Sequence, residues 1–426
     1  MSQSDTPAND PANALAHKPP AGPFAEPRPS MRGRYLIRNP RVAGALAALD
    51  AGLALLPVRK RPVPSRLQRI LLSNWGHLGD VVTTFGAIAA LRERHPGVEI
   101  GMIVSSWARP AVEKAGLVDR IHVIDHWWVS RAKTSGKQKR RRFRETRDAA
   151  LREIKAVGYE AGIDFYPFFA PAHVLFYKAG IMARVGFTSS GGGPLLTHPV
   201  PWADRDAPVA DHYRGLLDAL HPGRPFAPEA LRPRRDRTTL VDLPAILAGH
   251  SPYLVVHPGA GATYKEWGLD RWEALIARIG NEYPGHRIVL TGAGAAEVAM
   301  TEELATRLGG LINLAGHASW EEFVSVIAHA ALVVCPDTAT GHVAALFDVP
   351  TVSIFTGTNN AAQWGPYSDK ARVLMRPVVC APCYRAGCEA VECIRGVEPD
   401  EAMNAIRSLL PHAPAARQTK RHEVTP

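Results

Sequence analysis

A chain of 426 residues, 46% hydrophobic and 21% charged, has room for two domains of ordinary size and enough apolar content to build substantial cores. It contains no run of roughly 18 uninterrupted apolar residues, which excludes an ordinary membrane-spanning helix. The first 30 residues are polar and rich in Pro and Ala, without the apolar stretch of a secretory signal, so the five cysteines are expected in a reducing compartment. The net charge of +10 is unevenly spread: residues 130–148 carry nine Lys and Arg against two acids, leaving the rest of the chain only about +3.

Residues 1–66 divide into a tail, 1–30, and a helix expected over 39–57. Asn39 suits the N-cap, Pro40 the first helical position, and Pro57 ends the helix. Val42, Leu46, Leu49, Leu53 and Leu56 recur at alternating four- and three-residue spacing and form one apolar stripe. Arg38 and Arg41 come before or at its start and Arg59, Lys60 and Arg61 follow, so the helix either lies on an anionic membrane surface or packs against the protein body. From Leu67 onward strands and helices alternate. Strands are expected over 69–74, 98–104, 121–125 and 160–165, with a weaker one over 183–187, and a single helix over 80–93 closes at Pro96 and Gly97. The basic segment 130–148 offers a surface to an anionic partner or forms a solvated, mobile loop. Residues 188–250 read as loops with one helix near 207–220.

The alternation restarts at Tyr253, with later strands over 287–292, 331–335, 351–355 and 371–375. Helices are expected over 270–283, 295–308, 319–330 and 399–411, the third opened by a capping box from Ser319 to Glu322. The pattern predicts an α/β fold of two Rossmann-like, doubly wound domains, 67–250 and 251–412, facing across a cleft, with a tail over 413–426.

Two strand-to-helix turns stand out. In the first, the apolar run from Ile70 breaks at Gly76-His77-Leu78-Gly79-Asp80 and continues into an apolar helix. In the second, Leu332 to Pro336 leads into Asp337-Thr338 and then Gly341-His342. Ligands of open parallel sheets sit outside the carboxyl ends of strands, so both turns point at a site, although Asp80 also suits a helix cap and His342 a satisfied buried imidazole. After the strand that opens the second domain, His257-Pro258-Gly259 and Gly261 lead to Thr263 and Lys265, which offer backbone donors, a hydroxyl and a positive charge to a diphosphate. The Gly-Lys-Ser/Thr ending of a P-loop is missing, so nucleotide hydrolysis is not indicated. Thr291-Gly292 to Glu297 is a second Gly-rich strand end. Cys380, Cys383, Cys388 and Cys393 either complete one tetrahedral zinc site or stay as free thiols.

Together these segments resemble, in order over roughly residues 67–410, glycosyltransferase family 9, the ADP-heptose:lipopolysaccharide heptosyltransferases and their relatives. Carrying the resemblance are Leu78-Gly79-Asp80-Val81-Val82, His257-Pro258-Gly259, Lys265-Glu266-Trp267, Asp337 through Leu346, the stretch from Phe355, and Trp364-Gly365-Pro366. It implies a GT-B fold and inverting transfer of a sugar without a required metal: a heptose moving from ADP-heptose to a lipopolysaccharide-core acceptor. By resemblance Asp80 is the general base. Thr263 and Lys265 hold the donor diphosphate, Asp337, Thr338 and His342 complete the donor pocket, and Glu297 meets the ribose. The first domain is where the family binds its acceptor, so Arg140, Arg141, Arg142 and Arg144 are expected to meet phosphates of a glycolipid. The partners implied are a nucleotide-sugar and a phosphorylated glycolipid, with peripheral contact to an anionic membrane surface and no nucleic acid. The implied location is cytoplasmic, at the inner face of the inner membrane. The sequence departs from the family at Ala339, where the motif has Gly, and the first 66 residues have no counterpart in it. Other readings of the same residues are a GT-B transferase with another donor or surface-polysaccharide acceptor, and a non-catalytic binder of anionic polymer.

Overall fold

The computed structural model describes residues 35–411 except 38, 59–62, 65, 203–205, 233 and 385–386. The expected tails, 1–30 and 413–426, and the basic residues Arg38, Arg59, Lys60 and Arg61 lie outside the described residues.

Strands β1 (Arg69–Ser73), β2 (Glu99–Val104), β3 (Arg120–Val123), β4 (Ala161–Asp164), β5 (Ala183–Phe187) and β6 (His198–Val200) form one parallel sheet, ordered β3-β2-β1-β4-β5-β6. Strands β7 (Tyr253–Val256), β8 (Arg287–Leu290), β9 (Ile312–Asn313), β10 (Leu332–Pro336), β11 (Thr351–Ile354) and β12 (Ala371–Leu374) form a second, ordered β12-β11-β10-β7-β8-β9 and again parallel. Counted from its own first strand, each sheet has the doubly wound order 3-2-1-4-5-6. The winding therefore reverses beside β1 in the first sheet and beside β7 in the second. Strands covered on both faces must be apolar throughout, and Ile70, Leu71 and Leu72 of β1 and Leu254, Val255 and Val256 of β7 are all buried.

Helices α1 (Pro40–Leu53), α2 (Leu78–Val82), α3 (Phe85–Arg94), α4 (Arg109–Ala115), α5 (Gly136–Val157), α6 (His173–Lys178) and α7 (Val209–Leu220) accompany the first sheet. Helices α8 (Leu269–Glu282), α9 (Ala295–Leu308), α10 (Trp320–His329), α11 (Ala339–Leu346), α12 (Ala361–Trp364), α13 (Glu392–Arg395) and α14 (Pro399–Leu409) accompany the second. The capping box at the start of α10 is formed as expected: Ser319 Oγ accepts the Glu322 N–H, and the Glu322 carboxylate accepts the Ser319 N–H at 2.8 Å.

Three sequence expectations need correction. The helix expected over 80–93 is two helices, because the Thr83 and Thr84 hydroxyls turn back and donate to the Asp80 and Val81 carbonyls at 2.8 and 2.7 Å, ending α2 before α3 begins. The segment 130–148 is not a mobile loop along most of its length. Ser135 caps α5 through a reciprocal pair with Gln138, and Gly158, in the left-handed region at φ 70°, ends it. The helix near residues 39–57 stops at Leu53, and of its apolar stripe Leu46 is buried while Leu49 and Leu56 stay exposed. Strands β6 and β9 were not anticipated, since three and two residues are too short for any period to register.

Apolar contacts join the halves. One hydrophobic cluster runs from Val81, Val82 and Phe85 through Val343, Ala344 and Phe347, and α2 lies against α11. Lys114 of α4 and Glu321 of α10 add an ion pair at 2.6 Å between the two halves. Packing is equally tight inside the first sheet, where a Cβ at Gly101 would overlap the hydroxyl of Tyr159, itself bonded to His122 Nε2 at 2.9 Å. Gly101→Ala is accordingly expected to cost about 1–3 kcal/mol by overpacking, read as a lower Tm in thermal unfolding.

Candidate active site

Between the halves lies a cavity of about 1220 Å³. Its walls are the loops that leave the carboxyl ends of strands in both sheets: 77–80 after β1, 128–131 after β3, 166–169 after β4, 257–265 after β7, 291–297 after β8 and 337–342 after β10. Both reversal points of the winding open into it.

Asp80 sits in the first turn of α2, and its Oδ2 accepts the backbone N–H of His77 at 2.7 Å. Its backbone carbonyl accepts Asn74 Nδ2 at 2.8 Å, so backbone and carboxylate are both pinned. Burial holds the Asp80 carboxyl above the usual carboxylate range, against the opposite pull of the His77 N–H, Lys265 and Arg131. Gly76 makes room for it: a Cβ there would lie 2.6 Å from Asp80 Oδ2 and 2.8 Å from Cε2 of Tyr166. Gly79 makes room for the opposite half, since a Cβ there would lie 3.0 Å from Cδ2 of His342 and 3.6 Å from Cα of Ala339. The carboxylate therefore belongs to one half while its helix leans on the other.

Across the cavity, Lys265 Nζ donates to Asp337 Oδ2 at 2.5 Å, with both side chains largely buried. Thr338 is the N-cap residue of α11, and its hydroxyl makes no capping bond. His342, one turn into that helix, is pushed down to about 4 by burial and by Lys265, against Asp337, and is neutral near pH 7. His77 on the facing wall is pushed down to about 3 by burial and by the nearby Arg131 and Lys265. Glu297 accepts the Ala293 N–H at 2.7 Å and lies 3.9 Å from His257 Nε2, with Gly259 and Gly292 keeping space for its side chain.

Asp80, Lys265, Glu297, Asp337, Thr338 and His342 thus all line one cavity, whereas Thr263 is exposed and not among its lining residues; Tyr264 lines it instead. Arg140, Arg141, Arg142 and Arg144 lie on α5, outside the cavity wall. Arg140 stands over the Trp127 ring at 5.1 Å, Arg141 bonds Glu145 at 2.8 Å, Arg142 bonds Asp125 at 3.0 Å, and Arg144 is exposed. The basic residue that does reach the cavity is Arg131, at the start of the same charged segment. Its guanidinium lies against Gly261 of the opposite half, where a Cβ would overlap it. Charge density pointed to the segment, but only its fold shows which arginine turns inward. Trp128, Leu36, Ile37 and Asn39 also line the cavity, a role that no local pattern in the sequence signals.

The zinc arrangement is not formed: among the described residues no three His, Cys, Asp or Glu side chains gather as metal ligands. Cys380 and Cys388 are exposed and Cys383 is buried, all as free thiols.

The family model described as glycosyltransferase family 9 (heptosyltransferase) matches residues 147–393. Lipopolysaccharide heptosyltransferase 1 of Pseudomonas aeruginosa is 28% identical over 345 residues, covering 75% of this chain and 87% of that protein. Among solved structures, the glycosyl transferase family 9 protein from Veillonella parvula aligns with a TM-score of 0.63 at 18% identity, over 83% of this chain and 99% of its own. E. coli heptosyltransferase WaaC with ADP aligns at 0.61 and 18% identity, over 80% and 99%.

The cleft histidines make stability depend on pH. Unfolded, His77 and His342 take up protons near pH 6.5; folded, only near 3 and 4. The unfolded chain therefore binds more protons across that window, so their contribution is full above about pH 6.5 and falls as pH drops toward 4, by up to roughly 3 kcal/mol for His342. Denaturant unfolding at about pH 5 and pH 8 should show the loss, and a His342→Gln variant should show a smaller difference between the two.

Proposed function

The chain belongs to glycosyltransferase family 9 and is a glycosyltransferase of GT-B fold, and from that premise we propose that it moves a heptose from ADP-heptose, with inversion, onto a lipopolysaccharide-core acceptor. The observation that carries this reading is the placement of Asp80 at the reversal point of one sheet and the Lys265–Asp337 pair at that of the other, lining one cavity.

Asp80 takes the proton from an acceptor hydroxyl as that oxygen bonds to the anomeric carbon, and the bond from that carbon to the diphosphate breaks on the opposite face. A carboxylate whose proton affinity is raised by burial is a stronger base than one in water, which favours this step. Negative charge then grows on the departing ADP. Lys265, held in place by Asp337, supplies a fixed positive charge for it, and the N–H groups at the start of α11 point the same way. Glu297, anchored by the Ala293 N–H, suits a ribose hydroxyl. Because a protein cation serves the leaving group, the reaction is proposed to need no metal. The family assignment leaves no room for the non-catalytic binder considered from the sequence.

On the acceptor side, Arg131 and Trp128 form the rim, with the basic face of α5 behind them, and this favours a phosphorylated glycolipid. Such an acceptor places the enzyme at the cytoplasmic face of the inner membrane. The donor is the finer point: Ala339 adds a methyl group where the family motif has Gly, beside the Lys265–Asp337 pair, and this bears on which nucleotide is accepted.

Asp80→Asn should lower kcat by about 10²–10⁴-fold while ADP still binds with unchanged affinity in calorimetry. Turnover near the wild-type rate would remove Asp80 as the base. Lys265→Ala should weaken ADP binding and transfer together, and transfer by the wild-type enzyme should continue in EDTA. In a thermal-shift comparison, ADP-heptose should raise Tm more than GDP- or UDP-sugars.

A further inference from the structure

From residue 27 to residue 79 the chain carries ten Lys and Arg and one acid, Asp50. That acid is buried: its carboxylate accepts the Tyr35 hydroxyl at 2.8 Å and the Gly192 N–H at 2.7 Å, while Leu46 packs on Gly191. These contacts seat α1 on the turn after β5. They also leave the outward face of the helix without a charge beyond Arg41 at its first turn. That face carries alanines with Leu49 at 50% exposure and continues into Leu55 at 86% and Leu56 at 40%. A protein whose outer helices are otherwise richly charged thus presents one apolar surface within a cationic stretch. The chain just before α1, at Leu36, Ile37 and Asn39, lines the cavity between the halves, so the first turn of α1 starts beside that cavity.

We propose that α1 and the turn after it dock on an anionic lipid bilayer, leucines entering the headgroup boundary and Arg41 meeting lipid phosphates, which brings the cavity beside the start of α1 close to the membrane. The proposal rests on the transferase reading above, because a lipid-borne acceptor is what gives such docking a purpose. Bilayer rather than protein is the occupant the charge favours: the surrounding chain is cationic with its one acid buried, and a second copy would bring the same positive charge against itself.

Full-length protein is floated with phosphatidylcholine vesicles, with and without phosphatidylglycerol, alongside the triple variant L49E/L55E/L56E. The wild type should rise with the anionic vesicles only and lose binding as salt increases. The variant should bind them at least about tenfold more weakly, with unchanged Tm and ADP affinity. It should transfer normally to a soluble, acyl-free acceptor but poorly to acceptor embedded in vesicles. Equal vesicle binding by wild type and variant overturns the proposal, as does no binding by the wild type. Self-association in sedimentation that the variant abolishes also overturns it, by assigning the leucines to a second copy. Any of these with intact transfer to soluble acceptor leaves the transferase reading standing. If the wild type binds no nucleotide-sugar, that reading falls instead.

Discussion

The contact on which the arrangement depends is the meeting of α2 and α11. Each begins close to the reversal point of its own sheet, one carrying Asp80 and the other following Asp337 and Thr338. Their approach is possible because position 79 has no side chain: a methyl group there would press on His342 and reach Ala339. Glycine is used here for closeness rather than for an unusual backbone angle. With that contact in place, the carboxylate of one half and the cation of the other share one enclosed space, and the remaining loops at the carboxyl ends have only to wall it.

Enclosure sets the chemistry. Removing water raises the proton affinity of Asp80 and keeps His77 and His342 uncharged, so neither imidazole competes with Lys265 as the local cation. Lys265 is held in place by Asp337, whose Oδ2 accepts from its Nζ at 2.5 Å. The result is a carboxylate on one wall and the Lys265–Asp337 pair on the other, the arrangement that the proposed transfer of charge from acceptor oxygen to departing diphosphate calls for.

Much of this was readable from residue order. Apolar runs ending in Gly, Pro and Asp mark strands that open onto a site, and two rounds of such alternation specify two doubly wound sheets; position drew attention to Asp80, Lys265 and Asp337, and the resemblance to glycosyltransferase family 9 supplied their proposed roles. The misses have physical causes. Hydroxyl back-bonding by Thr83 and Thr84 divides a helix whose apolar pattern runs on without interruption. A dense run of arginines looks the same whether it forms a loop or, once Ser135 and Gln138 cap it, a helix. Arg131 and Trp128 reach the cavity because the loop after β3 folds over it, and Leu36 and Ile37 because Asp50 and Leu46 tie α1 to a turn far along the chain. Such long-range placements leave no trace in local spacing. Thr263, in the same loop, is exposed, while its neighbours Tyr264 and Lys265 line the cavity.

A crystal structure of the enzyme with bound ADP tests the central claim most directly. The diphosphate should lie against Lys265 and the first turn of α11, with Asp80 on the facing wall and room for a sugar between them. Nucleotide bound elsewhere, or Asp80 turned out of the shared space, would contradict the account.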